Sequence, residues 1–175
     1  MSKTLNIIVC CDKNMGIGKN NKLPWNISSE MKLFREKTIG NGNNCVIMGK
    51  NTYLSIPEKY RPLSKRFNCI VSSNYSTSEP DTKVINNIDD ELIEHLNNTK
   101  YDTYWIIGGS SIYHTVIEKY SKFINEIHIS LLETDYNCDV FFPTIDKRHF
   151  SVKEKIHIEQ DKYTHYVYKN DTMVV

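Results

Sequence analysis

The chain has 175 residues, 39% of them hydrophobic and 25% charged, with a formal net charge of +1. That length and balance describe one globular domain able to bury its own core and exclude a disordered chain. A near-neutral charge with no basic cluster argues against nucleic-acid binding, and the apolar runs are too short for a membrane span.

The N-terminus enters a strand-like run at residues 5–11 without the apolar core of a signal peptide, so the cytoplasm is the expected compartment. Next comes a loop rich in glycine and asparagine, Asn14-Met-Gly-Ile-Gly-Lys-Asn-Asn-Lys-Leu-Pro-Trp25. It reads either as a lid over a ligand or as a plain connection. A helix is expected over 28–37, with Ile27, Glu30, Met31 and Phe34 at i, i+3, i+4 and i+7 on one face. Three of these residues favour burial. A carboxylate buried among them would have its pKa raised, which suits a proton donor near neutral pH. The plain alternative is a first-turn acid favoured by the helix dipole, its head in water.

Further strands are expected at 44–48, 68–71, 82–85, 104–107 and 126–132, with helices at 51–55, 88–96 and 110–120. This βα alternation is that of a mainly parallel sheet. Asp89, Asp90 and Glu91 ahead of Leu92, Ile93 and Leu96 mark the start of the third helix. Segments 151–157 and 163–169 alternate around a short turn and read as an antiparallel hairpin, while 72–82 reads as a polar surface loop.

Two strand-to-helix junctions have phosphate-binding character: Val46-Ile-Met-Gly-Lys-Asn-Thr52 and Trp105-Ile-Ile-Gly-Gly-Ser-Ser-Ile-Tyr113. Free N–H groups and hydroxyls at a helix N-terminus suit a pyrophosphate, and such junctions lie where parallel sheets bind ligands. Glycines that merely turn the chain would look the same. Arg66, just before a strand, reads either as a clamp for a carboxylate or as a solvated surface residue. Cys10, Cys11, Cys45, Cys69 and Cys138 form no Cys-x-x-Cys pair and suit free thiols in a reducing compartment. The histidines never fall at metal-ligand spacing, so no metal site is expected.

In their order and spacing these segments resemble dihydrofolate reductase. The resemblance rests on Met15-Gly-Ile-Gly-Lys-Asn20, Leu23-Pro-Trp25, Glu30 with Phe34, Val46-Ile-Met-Gly49, Ser55-Ile-Pro-Glu-Lys59, Arg61-Pro-Leu63, Arg66, Ile107-Gly-Gly-Ser-Ser-Ile-Tyr113 and Asp139-Val-Phe-Phe-Pro143. It spans nearly the whole chain. It implies a single α/β domain over 1–175: a mostly parallel eight-stranded sheet with an antiparallel C-terminal strand, flanked by four helices. It also implies NADPH-dependent reduction of 7,8-dihydrofolate to 5,6,7,8-tetrahydrofolate by a cytoplasmic monomer, in support of one-carbon metabolism and thymidylate synthesis.

Roles carry over by position. Glu30, Trp25 and Ser130 match the catalytic residues. Ile8, Val9, Met31, Phe34, Arg35, Ile56, Tyr60, Leu63, Arg66 and Ile107 join Glu30 and Ser130 in binding substrate. The carbonyls of Ile8 and Ile107 would face the pterin, and Arg66 would hold the α-carboxylate of the glutamate tail. On the cofactor side stand Cys10, the lid Gly16, Ile17, Gly18, Lys19, Asn20, Asn21, Lys22 and Leu23, then Gly49, Lys50, Asn51 and Thr52. Ser72, Ser73 and Asn74, with Gly108, Gly109, Ser110, Ser111, Ile112 and Tyr113, complete it. The resemblance further implies a cis Gly108–Gly109 peptide.

Some positions depart from the family pattern. Ser130 stands where threonine is usual, keeping the hydroxyl but loosening its rotamer. Cys10 stands for alanine beside the nicotinamide, and Tyr60 for a smaller polar residue. Arginines that often bind the adenosine 2′-phosphate align with Ser73 and Asn86, leaving Lys50 as the main cation. Two other readings stay open: a reductase of the same fold acting on a different pteridine or a ribosylaminopyrimidine, and a non-enzymatic folate- or nucleotide-binding module. Glu30 and Arg66 argue against the first, and the intact acid, lid and junctions against the second. The chain ends after the hairpin, so no fused thymidylate synthase is expected.

Overall fold

Runs of β-branched and apolar residues with no polar face require cover on both sides, and the sheet supplies it. The structure is a computed structural model and describes residues 4–173 apart from 90, 91, 93, 95, 98 and 99. In chain order its elements are β1 (Thr4–Cys11), β2 (Gly16–Gly18), α1 (Ser28–Ile39), β3 (Asn44–Gly49), α2 (Lys50–Ser55), β4 (Phe67–Val71) and β5 (Thr82–Ile85). β6 (Thr103–Gly108), α3 (Ser110–Tyr120), β7 (Ile124–Leu132), β8 (Val140–Phe141), β9 (Phe150–Ile158) and β10 (Tyr163–Asn170) follow. Eight strands form one sheet in the order β5-β4-β3-β6-β1-β7-β10-β9. Pairs from β5 through β7 are parallel, and β10 runs antiparallel to both its neighbours.

Apart from the helix expected at 88–96, the expected elements lie where the sequence placed them, to within two residues at each end. Segment 72–82 is loop up to the first residue of β5. Of the helix expected at 88–96, Leu92 and Leu96 are buried, while residues 90, 91, 93 and 95 lie outside the described residues. Two strands had no sequence signal: β2 and β8, three and two residues long, which pair antiparallel. β9 is one edge of the sheet, and its exposed Lys153, Glu154 and Lys155 oppose pairing with another chain. Among the described residues no helix is long and apolar enough to cross a membrane.

Side chains alternate across the sheet and build a core on each face. Ile7, Val9, Cys45, Ile47 and Ile106 pack with Ile112, Tyr113 and Val116 of α3. Ile8, Val46, Met48, Ile70 and Trp105 pack on the other face with Tyr53 of α2 and Phe34 of α1. The adjacent strands β1 and β6 therefore send their following helices to opposite faces of the sheet. Their carboxyl ends form the switch point at which open α/β sheets bind ligands.

Candidate active site

Glu30 lies in the first turn of α1, where the helix dipole favours an acid, yet its side chain turns inward and is only 9% exposed. Burial pushes its carboxyl up to about 7, and a hydrogen bond from the Ser130 hydroxyl pulls the other way. Of the four-residue stripe expected on this helix, Met31 does not pack inward: it is 59% exposed. The inward face runs instead through Glu30, Phe34, Lys37 and Thr38, spaced i, i+4, i+7 and i+8, and leaves Met31 turned toward solvent. Ser130 lies on β7 opposite Cys10 of β1, so both strands end beside the acid. Trp25 is buried next to them, hydrogen-bonds to the Cys10 thiol and meets Tyr136 edge-on at 5.3 Å.

Of the residues expected on the substrate side, several gather on the α1 face. Phe34, Ile56, Leu63 and Ile107 pack against the cluster that contains Ile8. Val9 does not join them: strand alternation points its side chain into the opposite core, leaving only its backbone on this side. The Tyr113 hydroxyl donates to the Ile8 carbonyl at 2.8 Å, linking α3 to the pocket floor. Tyr60 is 59% exposed, with the Lys59 ammonium 4.8 Å from its ring centre.

Arg66 is 6% exposed, yet it has only neutral partners: its Nε donates to the Ser64 carbonyl at 2.8 Å and its Nη1 to Thr38 Oγ1 at 3.0 Å. Among the described residues neither Arg66 nor Arg35 forms an ion pair. Burial, and then the nearby Arg35, push the Arg66 guanidinium down to about 10. Two cations with no acid between them make a place for an anion, because a buried charge without a counterion is costly.

The two glycine junctions meet at the carboxyl ends of β3 and β6. A Cβ on Gly49 would lie 3.4 Å from Ile112, and one on Gly109 would lie 3.3 Å from the Thr52 hydroxyl. Gly108 has φ +124°, a conformation side chains resist, and the Gly108–Gly109 peptide is cis. The first-turn N–H groups of α3, those of Ser110 and Ser111 among them, have no intrahelical partners, and the N-cap Gly109 offers no side chain to take their place. Lys50 Nζ donates to Asn74 Oδ1 at 3.3 Å, and Ser72 Oγ donates to the same oxygen at 3.0 Å. Ser73 is exposed beside them. A backbone cradle kept clear of side chains, an uncapped helix start and a lysine fit a dinucleotide pyrophosphate.

The segment expected as a lid is more built than its composition indicates. Gly16, Ile17 and Gly18 form β2; Lys19 bridges to Lys22, with Asn20 and Asn21 between them at φ 51° and 61°. Asn20 N–H donates to Asp139 Oδ2 at 3.0 Å, and Leu23 is 63% exposed. Asp12 holds the loop's base. Its Oδ1 accepts from Asn14 N–H at 2.9 Å and Gly16 N–H at 2.8 Å, and its Oδ2 from Tyr136 N–H at 3.0 Å. A Cβ on Gly16 would sit 2.3 Å from the Cys138 Cβ, so only glycine fits there. Sequence reasoning missed Asp12, Thr38 and His165, and gave Asp139 no role of its own. An aspartate ending an apolar run just before asparagine and glycine is the one signal that marked Asp12.

A family model described as dihydrofolate reductase matches residues 4–174. The dihydrofolate reductase of Heliothis virescens is 34% identical over 166 residues, covering 90% of this chain and 89% of that protein. That of Bos taurus is 37% identical over 155 residues, 83% of this chain and 82% of its own length. The bifunctional dihydrofolate reductase-thymidylate synthase 2 of Arabidopsis thaliana is 35% identical over 153 residues, and this chain spans only 27% of it.

Proposed function

The chain belongs to the dihydrofolate reductase family, an oxidoreductase family that takes dihydrofolate to tetrahydrofolate with a nicotinamide cofactor, and we propose that here the cofactor is NADPH and the active-site acid Glu30. The observation that carries this reading is the carboxylate of Glu30, buried in an apolar crevice with a single hydroxyl partner and poised near neutrality. A carboxylate so placed accepts two parallel hydrogen bonds from the 2-amino group and N3 of a pterin. Glu30 then sets the protonation state and field around N5, which takes its proton by way of water. Ser130 and Trp25 support the acid, and Met31 and Tyr60 stand at the mouth. The carbonyls of Ile8 and Ile107 offer acceptors at the pterin edge, while Phe34, Ile56 and Leu63 exclude water. Arg66, with Arg35 outside it, takes the carboxylate tail.

NADPH, when bound, supplies the hydride. Gly49, Lys50, Asn51 and Thr52, Ser72 to Asn74, and Gly108 to Tyr113 would hold its phosphates and adenosine, with Cys10 and the lid from Gly16 to Leu23 against the nicotinamide. Lys50 is the cation available to an extra 2′-phosphate. The protein's own contribution is geometry and a preorganised field. We read residues 1–175 as one domain acting as a monomer in the cytoplasm, without nucleic-acid or membrane partners, and supplying tetrahydrofolate for thymidylate synthesis. Cys11, Cys45 and Cys69, buried in the core as thiols, suit a reducing compartment. The test is NADPH oxidation by the purified protein. It should require added dihydrofolate; oxidation supported equally well by a ribosylaminopyrimidine, or none at all, would overturn the assignment.

A further inference from the structure

Behind Glu30 lies a line of polar side chains of which the proposed chemistry uses only Ser130. Glu126, His128 and Ser130 alternate along one face of β7, and His165 of β10 is registered directly opposite Ser130. His165 is 2% exposed, and its Nδ1 lies 3.0 Å from Ser130 Oγ. Its Nε2 is buried with no partner among the described residues. His128 is different, because both of its ring nitrogens are used. Lys37 Nζ donates to Nδ1 at 2.9 Å, and Nε2–H donates to Glu126 Oε1 at 2.9 Å.

The unpartnered nitrogen decides the tautomer of His165. Burial, then the nearby Lys37 and His128, push the ring down to about 3, so it is neutral and carries a single N–H. A buried N–H without an acceptor is rarer in folded proteins than an acceptor left bare, which puts the hydrogen on Nδ1. Ser130 Oγ then receives a hydrogen bond from His165 and has its own hydrogen left to give. Serine lacks the second β substituent that would restrict its rotor, so something outside the side chain has to aim it.

We propose that His165 is a positioning residue for the active-site acid: its Nδ1–H, delivered to Ser130 Oγ, turns the serine hydroxyl onto the Glu30 carboxylate. The proposal rests on the reading of Glu30 as that acid. A hydrogen bond received at an oxygen polarises the one it gives, so the ionised form of Glu30 is favoured beyond what an unaimed serine supplies. The other groups around the acid do not substitute for it. Cys10, Tyr113 and Tyr163 are themselves held protonated by burial, and their charged forms would only repel Glu30. Glu126, Lys153 and Glu154 act further out, on Lys37 and His128.

The experiment is a titration of the Glu30 carboxyl by carbon NMR in the ligand-free protein, for the wild type and three variants. His165→Leu should move the midpoint upward by about one pH unit, a tenfold change in proton affinity. His165→Asn, whose amide N–H stands where Nδ1–H stood, should restore the wild-type midpoint. His165→Gln, which places its donor at the Nε2 position, should titrate with the leucine variant. An unmoved midpoint in the leucine variant overturns the proposal. If that variant does not fold, equal midpoints in the Asn and Gln variants overturn it instead. The pH profile of dihydrofolate reduction separates the two readings. A moved titration with an unmoved profile supports the positioning role and refutes Glu30 as the acid.

Discussion

Two buried carboxylates stand within the first thirty residues, Asp12 at 0% exposure and Glu30 at 9%, and burial pushes the pKa of both upward. At Asp12 three backbone N–H groups, joined by the Cys138 thiol, more than reverse that push and hold the group below the usual range. At Glu30 a single hydroxyl opposes burial and loses. The difference is in how much of each carboxylate's hydrogen-bonding capacity the fold has already used. Asp12 is filled from its own chain and works as a clamp at the base of the lid. Glu30 keeps open acceptor sites on the side where a ligand would lie, and an open, costly charge is the mark of a group kept for binding.

The largest test of that contrast is Glu30→Gln, which keeps the shape and removes the charge. Turnover should fall by roughly 10²–10⁴-fold at neutral pH while cofactor binding survives. Unchanged rates would remove Glu30 from the mechanism. The same variant should be more stable than the wild type at pH 8. With the folded pKa near 7 and the ordinary value 4.5, the wild type holds its full stability below pH 4.5 and loses it as pH rises through 7. The loss in the ligand-free protein is about 3 kcal/mol, which the glutamine should not show. Thermal unfolding at pH 4.5 and 8 would reveal it as several degrees. Parallel pH dependence in the two proteins would mean that burial does not set the Glu30 pKa.

Asp12→Ala is the reciprocal change, and its signature should be the opposite. Losing acceptors for three backbone N–H groups should cost about 2–3 kcal/mol of stability, with the damage centred on the loop from Asn14 to Gly16 and on Tyr136. Chemical denaturation gives the cost, and amide exchange in the lid locates it. A variant that loses turnover without losing lid protection would show that Asp12 is more than a clamp.

How far the sequence reveals this contrast depends on periodicity. Strands buried on both faces are visible as apolar runs, and Ser110 to Tyr120 shows its helix from both ends, so the sheet and its crevice were legible. Which residue faces which layer was less so. Helical spacing puts Met31 on the face of Glu30, and the resemblance puts Met31 and Val9 on the substrate side; a rotation of about 100° per residue turns the Met31 side chain toward solvent, and strand alternation turns that of Val9 into the opposite core. β2 and β8 are held by Asp12, Asp139 and hydrogen bonds between segments more than a hundred residues apart, which no local pattern encodes. His165 looked like one polar residue in an alternating strand. Only the register opposite Ser130 gives it a partner.

Arg66 carries the comparison to the opposite charge: like Glu30 it is buried with capacity unspent, having only a carbonyl and a hydroxyl for partners. Arg66→Ala should raise the KM for dihydrofolate by roughly 10–100-fold and leave kcat little changed, since a tail contact acts equally on ground and transition states. An unaffected KM would show that the tail lies elsewhere.

Lys50 is the mildest case, because it is only partly buried and its one hydrogen bond, to Asn74 at 3.3 Å, is long. Its charge is therefore nearly free to serve a ligand but is also screened by water, so its contribution should be about 1 kcal/mol. If that charge meets the 2′-phosphate, Lys50→Ala should raise the KM for NADPH about fivefold while the KM for NADH stays put. An equal rise for both cofactors would instead place Lys50 on the pyrophosphate that they share. The junction at Gly49 would then bind phosphate much as the Gly108–Gly109 junction does, and preference between the cofactors would have to come from Ser72 to Asn74. The ratio of the two KM values, with and without Lys50, separates a charge that discriminates from one that only attracts.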